Sequence, residues 1–335
     1  MPEYRQNPLT REWVILSGER QTRPSEFLDQ PARRENATCP FCLGNEHETP
    51  EELARYSETG RATKGWSVRV VPNKYPAVNG AGNSTAVEAA ACNDDCLFRT
   101  VPALGEHEVI IESPRHVVSL TDLTPAETDF LFLAYRDRIA FHRGAGKAKY
   151  VQAFKNVGPL AGASMEHSHS QLMALYQMPQ QVERDAAIAD SYHRRHQRSL
   201  LQSVVQAELS AGMRLVSQSA SFVAFCPFAS RFPYEVCVAA KSSASPFDEL
   251  QAGELGELAA IVREIIGRIE RTLGPIAYNY YLRPAPFDIG SPGQYDWHIE
   301  IFPRLVKVAG FEWSTGVFIN TVSPEAAAEA LRASP

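Results

Sequence analysis

The sequence predicts an α+β protein built from a duplicated unit, and three observations carry that expectation. First, EVIIESPRHVVSLTDLTPAE, from Glu108, is matched by EVCVAAKSSASPFDELQAGE, from Glu235, an offset of 127 residues. In each copy a strand opening on Glu-Val leads through a polar loop to a leucine (Leu123, Leu250) and then a helix. Second, the match runs upstream, where WSVRVVPNKYP (66–76) resembles FVAFCPFASRFP (222–233), and downstream, where helices are expected over 125–144 and 252–273. Third, each helix is followed by short strands and not by a strict strand–helix alternation, so antiparallel sheets are expected.

The elements follow in chain order. MPEYRQNPLTREW is polar and lacks the apolar segment of a secretory leader. CPFC (39–42) is a turn-forming knuckle, and 79–103 is a weakly patterned loop. Thr124-Pro125-Ala126-Glu127 starts the first helix with a Thr N-cap, Pro at the first helical position and Glu at the third. Residues 177–210 form a helical linker whose charges (VERDAAIADSYHRRHQR) mark a solvated face. The expected division is a unit over 1–176, the linker over 177–210 and a second unit over 211–335.

Composition bounds the function. At 335 residues, 44% apolar and 21% charged, the chain can bury an ample core. A net charge of −6 gives no reason to expect nucleic acid as a partner. No run of about 18 apolar residues exists, so no membrane span is expected, and cytoplasm is the default location.

In a reducing compartment the Cys39–Cys42 pair reads as a metal clip. Cys92 and Cys96, in CNDDC, read as a pair of exposed loop cysteines, with metal binding as the alternative; Cys226 and Cys237 sit in apolar runs and are expected in the core.

GASMEHSHSQ (162–171) carries the chemistry. In a strand His167, His169 and Gln171 share one face, with His167 and His169 about 7 Å apart. The bland reading is an exposed polar strand, but the flanking Leu172-Met173-Ala174-Leu175 points inward. Imidazole can bind zinc or attack an electrophile to form a covalent intermediate. A glutamine beside it can donate to a developing oxyanion. Cys39, Cys42, His116 (in Ser113-Pro114-Arg115-His116) and one histidine of the pair compose a Cys2His2 set.

His167-Ser-His169-Ser-Gln171, with CPFC and SPRH, resembles the galactose-1-phosphate uridylyltransferases of the histidine-triad superfamily. The resemblance covers nearly the whole chain: Arg5 to Thr10, Arg20 and Arg23-Pro24, Asn73-Lys74-Tyr75-Pro76-Ala77, Asn156, Gly162, Ser164, and Gly310-Phe311-Glu312. It implies two tandem histidine-triad-like units, each an antiparallel sheet with a long crossing helix. It implies ping-pong nucleotidyl transfer from a nucleotide sugar, with His169 as nucleophile and Gln171 and Ser164 on the phosphoryl oxygens. Asn73, Asn156 and Gly162 would hold the nucleotide, Glu312 the sugar, and Arg20 and Arg23 phosphate, the two arginines reaching into the other subunit of a homodimer. His167 would complete one structural zinc site with Cys39, Cys42 and His116.

Uridylyl transfer between UDP-glucose and galactose 1-phosphate is the leading expectation. Adenylyl transfer to phosphate, as in the ADP-glucose phosphorylase branch, is the alternative. A dinucleoside polyphosphate hydrolase or a non-catalytic nucleotide-binding protein stand behind these, and Gln171 in place of a third histidine speaks against hydrolysis. The second metal site of some relatives is not expected. Ser243 stands opposite His116 in the repeat, and the ligand positions hold Asp185, Arg283, His298 and Glu300, the last two expected as a polar core pair or a dimer-site lining.

Overall fold

The computed structural model describes residues 2–18, 39–57, 65–80, 97–98, 100–242, 245–288 and 294–334. Arg20, Arg23, Cys92, Cys96 and Ser243 lie outside these residues.

The chain opens with β1 (Glu3–Gln6) and β2 (Trp13–Leu16), then β3 (Ala54–Tyr56), β4 (Val68–Pro72) and β5 (Gly105–Ile111). Helix α1 (Pro125–Ala145) follows, then β6 (Tyr150–Val157) and β7 (His169–Leu175). Helices α2 (Gln180–His196) and α3 (Leu200–Ala211) lead to β8 (Leu215–Gln218), β9 (Phe222–Phe225) and β10 (Val236–Ala240). The second long helix is α4 (Ala252–Leu273), followed by β11 (Tyr278–Arg283) and β12 (His298–Pro303). The chain ends with α5 (Gly310–Thr315), β13 (Phe318–Asn320) and α6 (Pro324–Ala333).

Among the described residues one ten-stranded sheet runs β3-β4-β5-β7-β6-β11-β12-β10-β9-β8, and β1, β2 and β13 form a small second sheet. The large sheet reads the same outward from its centre. Phe154 and Tyr281 face each other across β6 and β11. Phe154 then pairs with Gln171, and Tyr281 with Glu300. Gln171 pairs with Val109, and Glu300 with Cys237. The halves are therefore related by a pseudo-twofold axis at Phe154/Tyr281 that keeps each sheet face on its own side.

This axis corrects one detail of the repeat. The offset of 127 residues holds from Pro125 to Ala252 at the helix starts and from Phe154 to Tyr281 at the centre, but Val109 corresponds to Cys237, one residue further on, and Gln171 to Glu300, two residues further on. Side-chain direction alternates along a strand, so that one residue decides which face a side chain takes. The second strand also starts at Val236, not Glu235.

Both long helices cover one face. Thr124 caps α1 as expected: its Oγ1 accepts from the Glu127 N–H at 3.2 Å, and Glu127 accepts from the Thr124 N–H at 2.8 Å. The helix stops at Gly146, whose φ of 68° suits glycine. Leu131, Phe132, Tyr135 and Ile139 of α1 join Leu258, Val262, Ile265 and Ile269 of α4 in one core with Ile110, Leu172, Val238 and Ile299. Each such fully buried aliphatic contributes about 1.5–3 kcal/mol. On the other face the halves differ. In the second half, Leu201 and Val205 of α3 cover Val223, Phe225, Cys237 and Ala239. In the first half that face carries a smaller cluster of Cys39, Phe41, Trp66, Val71, Val109 and Ile111 beside His169. Cys226 and Cys237 are buried, as expected.

Candidate active site and metal cluster

The strand expected to carry His167, His169 and Gln171 together begins only at His169. His167 lies before it, where the chain bends and is free of the strand's alternation. Its backbone and its ring serve two different centres.

The ring belongs to a Cys/His cluster. Potential ligand atoms of Cys39, Cys42, His116 and His167 all lie within 4.8 Å of one another. Cys39 Sγ is 3.5 Å from His167 Nδ1, and Cys42 Sγ is 3.5 Å from His116 Nδ1 and 3.6 Å from His167 Nδ1. These separations match the sulfur–nitrogen edge of a tetrahedral metal site, about 3.5 Å. His167 Nε2–H donates to the Ser113 carbonyl at 2.8 Å, which leaves Nδ1 as a lone-pair donor. The knuckle is turned by the Cys42 N–H to the Cys39 carbonyl at 3.2 Å and tied to the His116 loop by the Leu43 N–H to Pro114 at 3.0 Å. Burial lowers His167 to about 4, so it is neutral at pH 7. With no cation, burial and the neighbouring Cys39 raise the Cys42 thiol to about 11. These four residues could hold a metal ion, and their donor set fits one.

The His167 backbone sets up the second centre. His169 Nδ1–H donates to the His167 carbonyl at 2.7 Å. A carbonyl only accepts, so Nδ1 carries the proton and Nε2 the free lone pair. Burial lowers the His169 pKa from its ordinary value, which keeps the ring neutral and nucleophilic. Behind the strand, fully buried Lys155 bonds Glu112, donates to Ser168 Oγ at 2.8 Å and reaches the His169 carbonyl at 3.4 Å.

The remaining expected residues are placed as follows. Gln171 sits two residues along β7, its Oε1 2.8 Å from His107 Nε2. Asn73, after β4, lies beside the same ring at 3.2 Å and holds the Tyr75 N–H at 2.8 Å. Asn156 Oδ1 accepts from Asn279 Nδ2 at 2.7 Å, which directs the Asn156 amide N–H groups elsewhere. Gly162 ends a one-turn 3-10 helix with φ of 83°, and Ser164 is exposed on the turn that follows. Glu312 caps its own short helix through the Ala309 N–H at 3.2 Å, and α5 packs on β13. Among the described residues no hydrogen bond joins Glu312 to the His169 strand.

His107, Asn279, Lys155 and Glu112 were not singled out by the sequence. Their importance depends on cross-strand register, although Glu112 and Lys155, charged residues in otherwise apolar strand runs, were a usable signal.

The pseudo-twofold maps His169 onto His298 and Gln171 onto Glu300. A cavity there is lined by Asp185, Arg231, Glu235, Arg283, His298 and Glu300, and no residue of the His169 strand borders it. Arg283 pairs with Asp185 at 2.9 Å and Glu300 at 2.8 Å, and Arg231 with Glu235 at 3.2 Å and with Glu300. His298 Nε2 lies 3.2 Å from Glu300 Oε1. Burial opposes ionisation, but Arg283 and Arg231 hold Glu300 well below the usual carboxylate range. Two guanidinium groups occupy the carboxylates that a second cation would need, so this set does not fit a metal.

A lone-pair imidazole on a strand beside a Cys/His cluster has the chemistry that covalent group transfer needs. Residues 81–333 match the family described as a domain of unknown function, DUF4921. ADP-glucose phosphorylase of Arabidopsis thaliana is 34% identical over 338 residues, covering 99% of this chain and 92% of that protein. Galactose-1-phosphate uridylyltransferase of Thermotoga maritima is 28% identical over 99% of this chain and 98% of that protein. The crystal structure of the Arabidopsis thaliana ADP-glucose phosphorylase with bound ADP-glucose superposes with a TM-score of 0.85, 31% identity and coverage of 99% and 98% of the two chains. A uridylyltransferase structure superposes with a TM-score of 0.76, 27% identity and coverage of 100% and 98%. The chain belongs to the DUF4921 family and, within the nucleotidyltransferases, to the group that holds ADP-glucose phosphorylase and galactose-1-phosphate uridylyltransferase. No helix among the described residues is long and apolar enough to cross a membrane.

Proposed function

We propose that the protein moves a nucleoside monophosphate from a nucleotide sugar to a phosphate acceptor through a nucleotidyl-His169 intermediate. The observation that carries this is the 2.7 Å bond from His169 Nδ1 to the His167 carbonyl, which leaves Nε2 as the attacking atom. Nε2 forms the new bond to the α-phosphorus as the phosphorus–oxygen bond to the hexose 1-phosphate breaks, and the leaving oxygen takes the electron pair. In the second half-reaction an acceptor phosphate oxygen attacks the same phosphorus and the phosphorus–nitrogen bond breaks. Gln171 and Ser164 donate to the phosphoryl oxygens, where charge moves most. Asn73, Asn156 and Gly162 hold the nucleotide, Glu312 the hexose, and Arg20 and Arg23 phosphate. Cys39, Cys42, His116 and His167 would hold zinc, which would serve as a structural ion ahead of the strand.

ADP-glucose as donor with phosphate as acceptor has the support of the 34% identical relative. UDP-glucose with galactose 1-phosphate is the second reading, supported by the relatives from Thermotoga maritima and Haemophilus influenzae at 28% and 27% identity. The same proposal divides the chain into a catalytic unit (1–176), a helical linker (177–210) and a degenerate unit (211–335), in a cytoplasmic homodimer.

The test is exchange of labelled glucose 1-phosphate into each nucleotide sugar with no second acceptor present. Ping-pong chemistry requires that exchange, and His169→Ala should abolish it. Exchange that survives in His169→Ala would remove the covalent route. The donor that exchanges decides between the two readings.

A further inference from the structure

We infer that His107 is a positioning residue for nucleotidyl transfer: it fixes which way the Gln171 amide points. This rests on the proposed function and deepens it.

The geometry is over-determined. The Ala77 N–H donates to His107 Nδ1 at 3.2 Å. A backbone N–H only donates, so Nδ1 is the acceptor and the neutral ring carries its proton on Nε2. That proton points to Gln171 Oε1 at 2.8 Å. Asn73 cannot compete, because its Oδ1 holds the Tyr75 N–H at 2.8 Å and its nitrogen faces the ring. Gln171 is thus held by its oxygen, and both N–H groups of its amide remain for another acceptor. Gln171 and His169 share one strand face, two residues apart. A reversed amide would aim oxygen lone pairs at the phosphoryl oxygens, repelling the charge that the reaction builds.

The pseudo-twofold supports the pairing of these positions. His107 corresponds to Glu235 and Gln171 to Glu300, and there Arg231 bonds both carboxylates. In each half the residue two positions before the ladder partner, His107 before Val109 and Glu235 before Cys237, is tied to the residue diagonal to it, directly or through a bridge.

The experiment is the rate of nucleotidyl adduct formation on His169 at saturating ADP-glucose or UDP-glucose, read by mass after a neutral quench. His107→Leu should slow it about tenfold, with the donor concentration at half-maximal rate changed less than about twofold, the scale of one lost hydrogen bond acting in the transition state. His107→Gln places an amide N–H within reach of Gln171 and should restore most of the rate. His107→Asn keeps a group near Ala77 but is too short for Gln171, and should stay slow; it also serves should His107→Leu fail to fold. In a Gln171→Ala background, His107→Leu should add less than about twofold. A further tenfold loss there, or a His107→Asn variant as fast as wild type, overturns the inference. A wild-type protein that forms no adduct from either donor overturns the proposed function, and this inference with it. Adduct formation with additive losses overturns the His107 role alone.

Discussion

Lys155→Met should be among the most damaging single substitutions behind the catalytic strand. Lys155 and Glu112 are both fully buried and bonded to each other. Removing the ammonium leaves Glu112 as an uncompensated buried charge, a loss of about 3–5 kcal/mol. The Ser168 hydroxyl still donates to Glu112 at 2.6 Å, which puts the expectation near the lower end, but Glu112 Oε1 has no hydrogen-bond partner among the described residues. The pair itself is expected to add little net stability, because taking both charges out of water offsets their attraction. Burial lowers the Lys155 ammonium from its ordinary value, and Glu112 only partly offsets this. The double variant Lys155→Met/Glu112→Leu should therefore recover to within about 1 kcal/mol of wild type. Urea unfolding followed by tryptophan fluorescence, at fixed metal concentration, measures both. A shift in midpoint at constant slope reports the loss. A single variant that loses less than about 1 kcal/mol, or a double variant no better than the single, would refute the reasoning.

Three further outcomes are expected. Metal analysis should find close to one zinc per chain, Cys42→Ala should lose it, and a chelator should lower the melting temperature of wild type but not of Cys42→Ala; unchanged content in the variant would dismiss the four-ligand set. Glu108 is held below the ordinary carboxylate range: burial opposes ionisation, but His142 and Arg138 outweigh it. Its stabilising contribution is complete above the unfolded value of about 4.3 and fades as pH falls through the folded value, so Glu108→Gln should flatten the stability–pH curve in that acid range; a curve parallel to wild type there would contradict this. Gly158→Ala combines φ of 79° with a new Cβ 2.9 Å from the Ala277 Cβ. It should cost about 1–3 kcal/mol, read by urea unfolding, and a neutral result would mean the turn before His169 relaxes freely.

The sequence revealed what lies along the chain and little of what lies across it. The repeat, the capped helix at Thr124 and the Cys39/Cys42/His116/His167 set were legible because each is a local signature or a sum of few-option ligands. The one-residue drift between the repeats was not legible, because ladder register appears in no single strand. Between β7 and β12 the drift grows to two residues, which brings His298 and Glu300 onto the positions of His169 and Gln171. His107 was hidden for the same reason: only the ladder pairing of Val109 with Gln171 sets it diagonal to the glutamine. His167 read as a strand residue because its spacing to His169 is two, while the chain bends ahead of β7 and the His167 ring joins a cluster assembled from distant segments.

The most direct measurement is the intact mass of the protein after brief incubation with ADP-glucose and, separately, UDP-glucose, with His169→Ala alongside and a quench that avoids acid. The account predicts a nucleotidyl adduct on wild type and none on the variant, with the adduct's base naming the donor. No adduct from either donor, on folded protein that carries its metal, would contradict it.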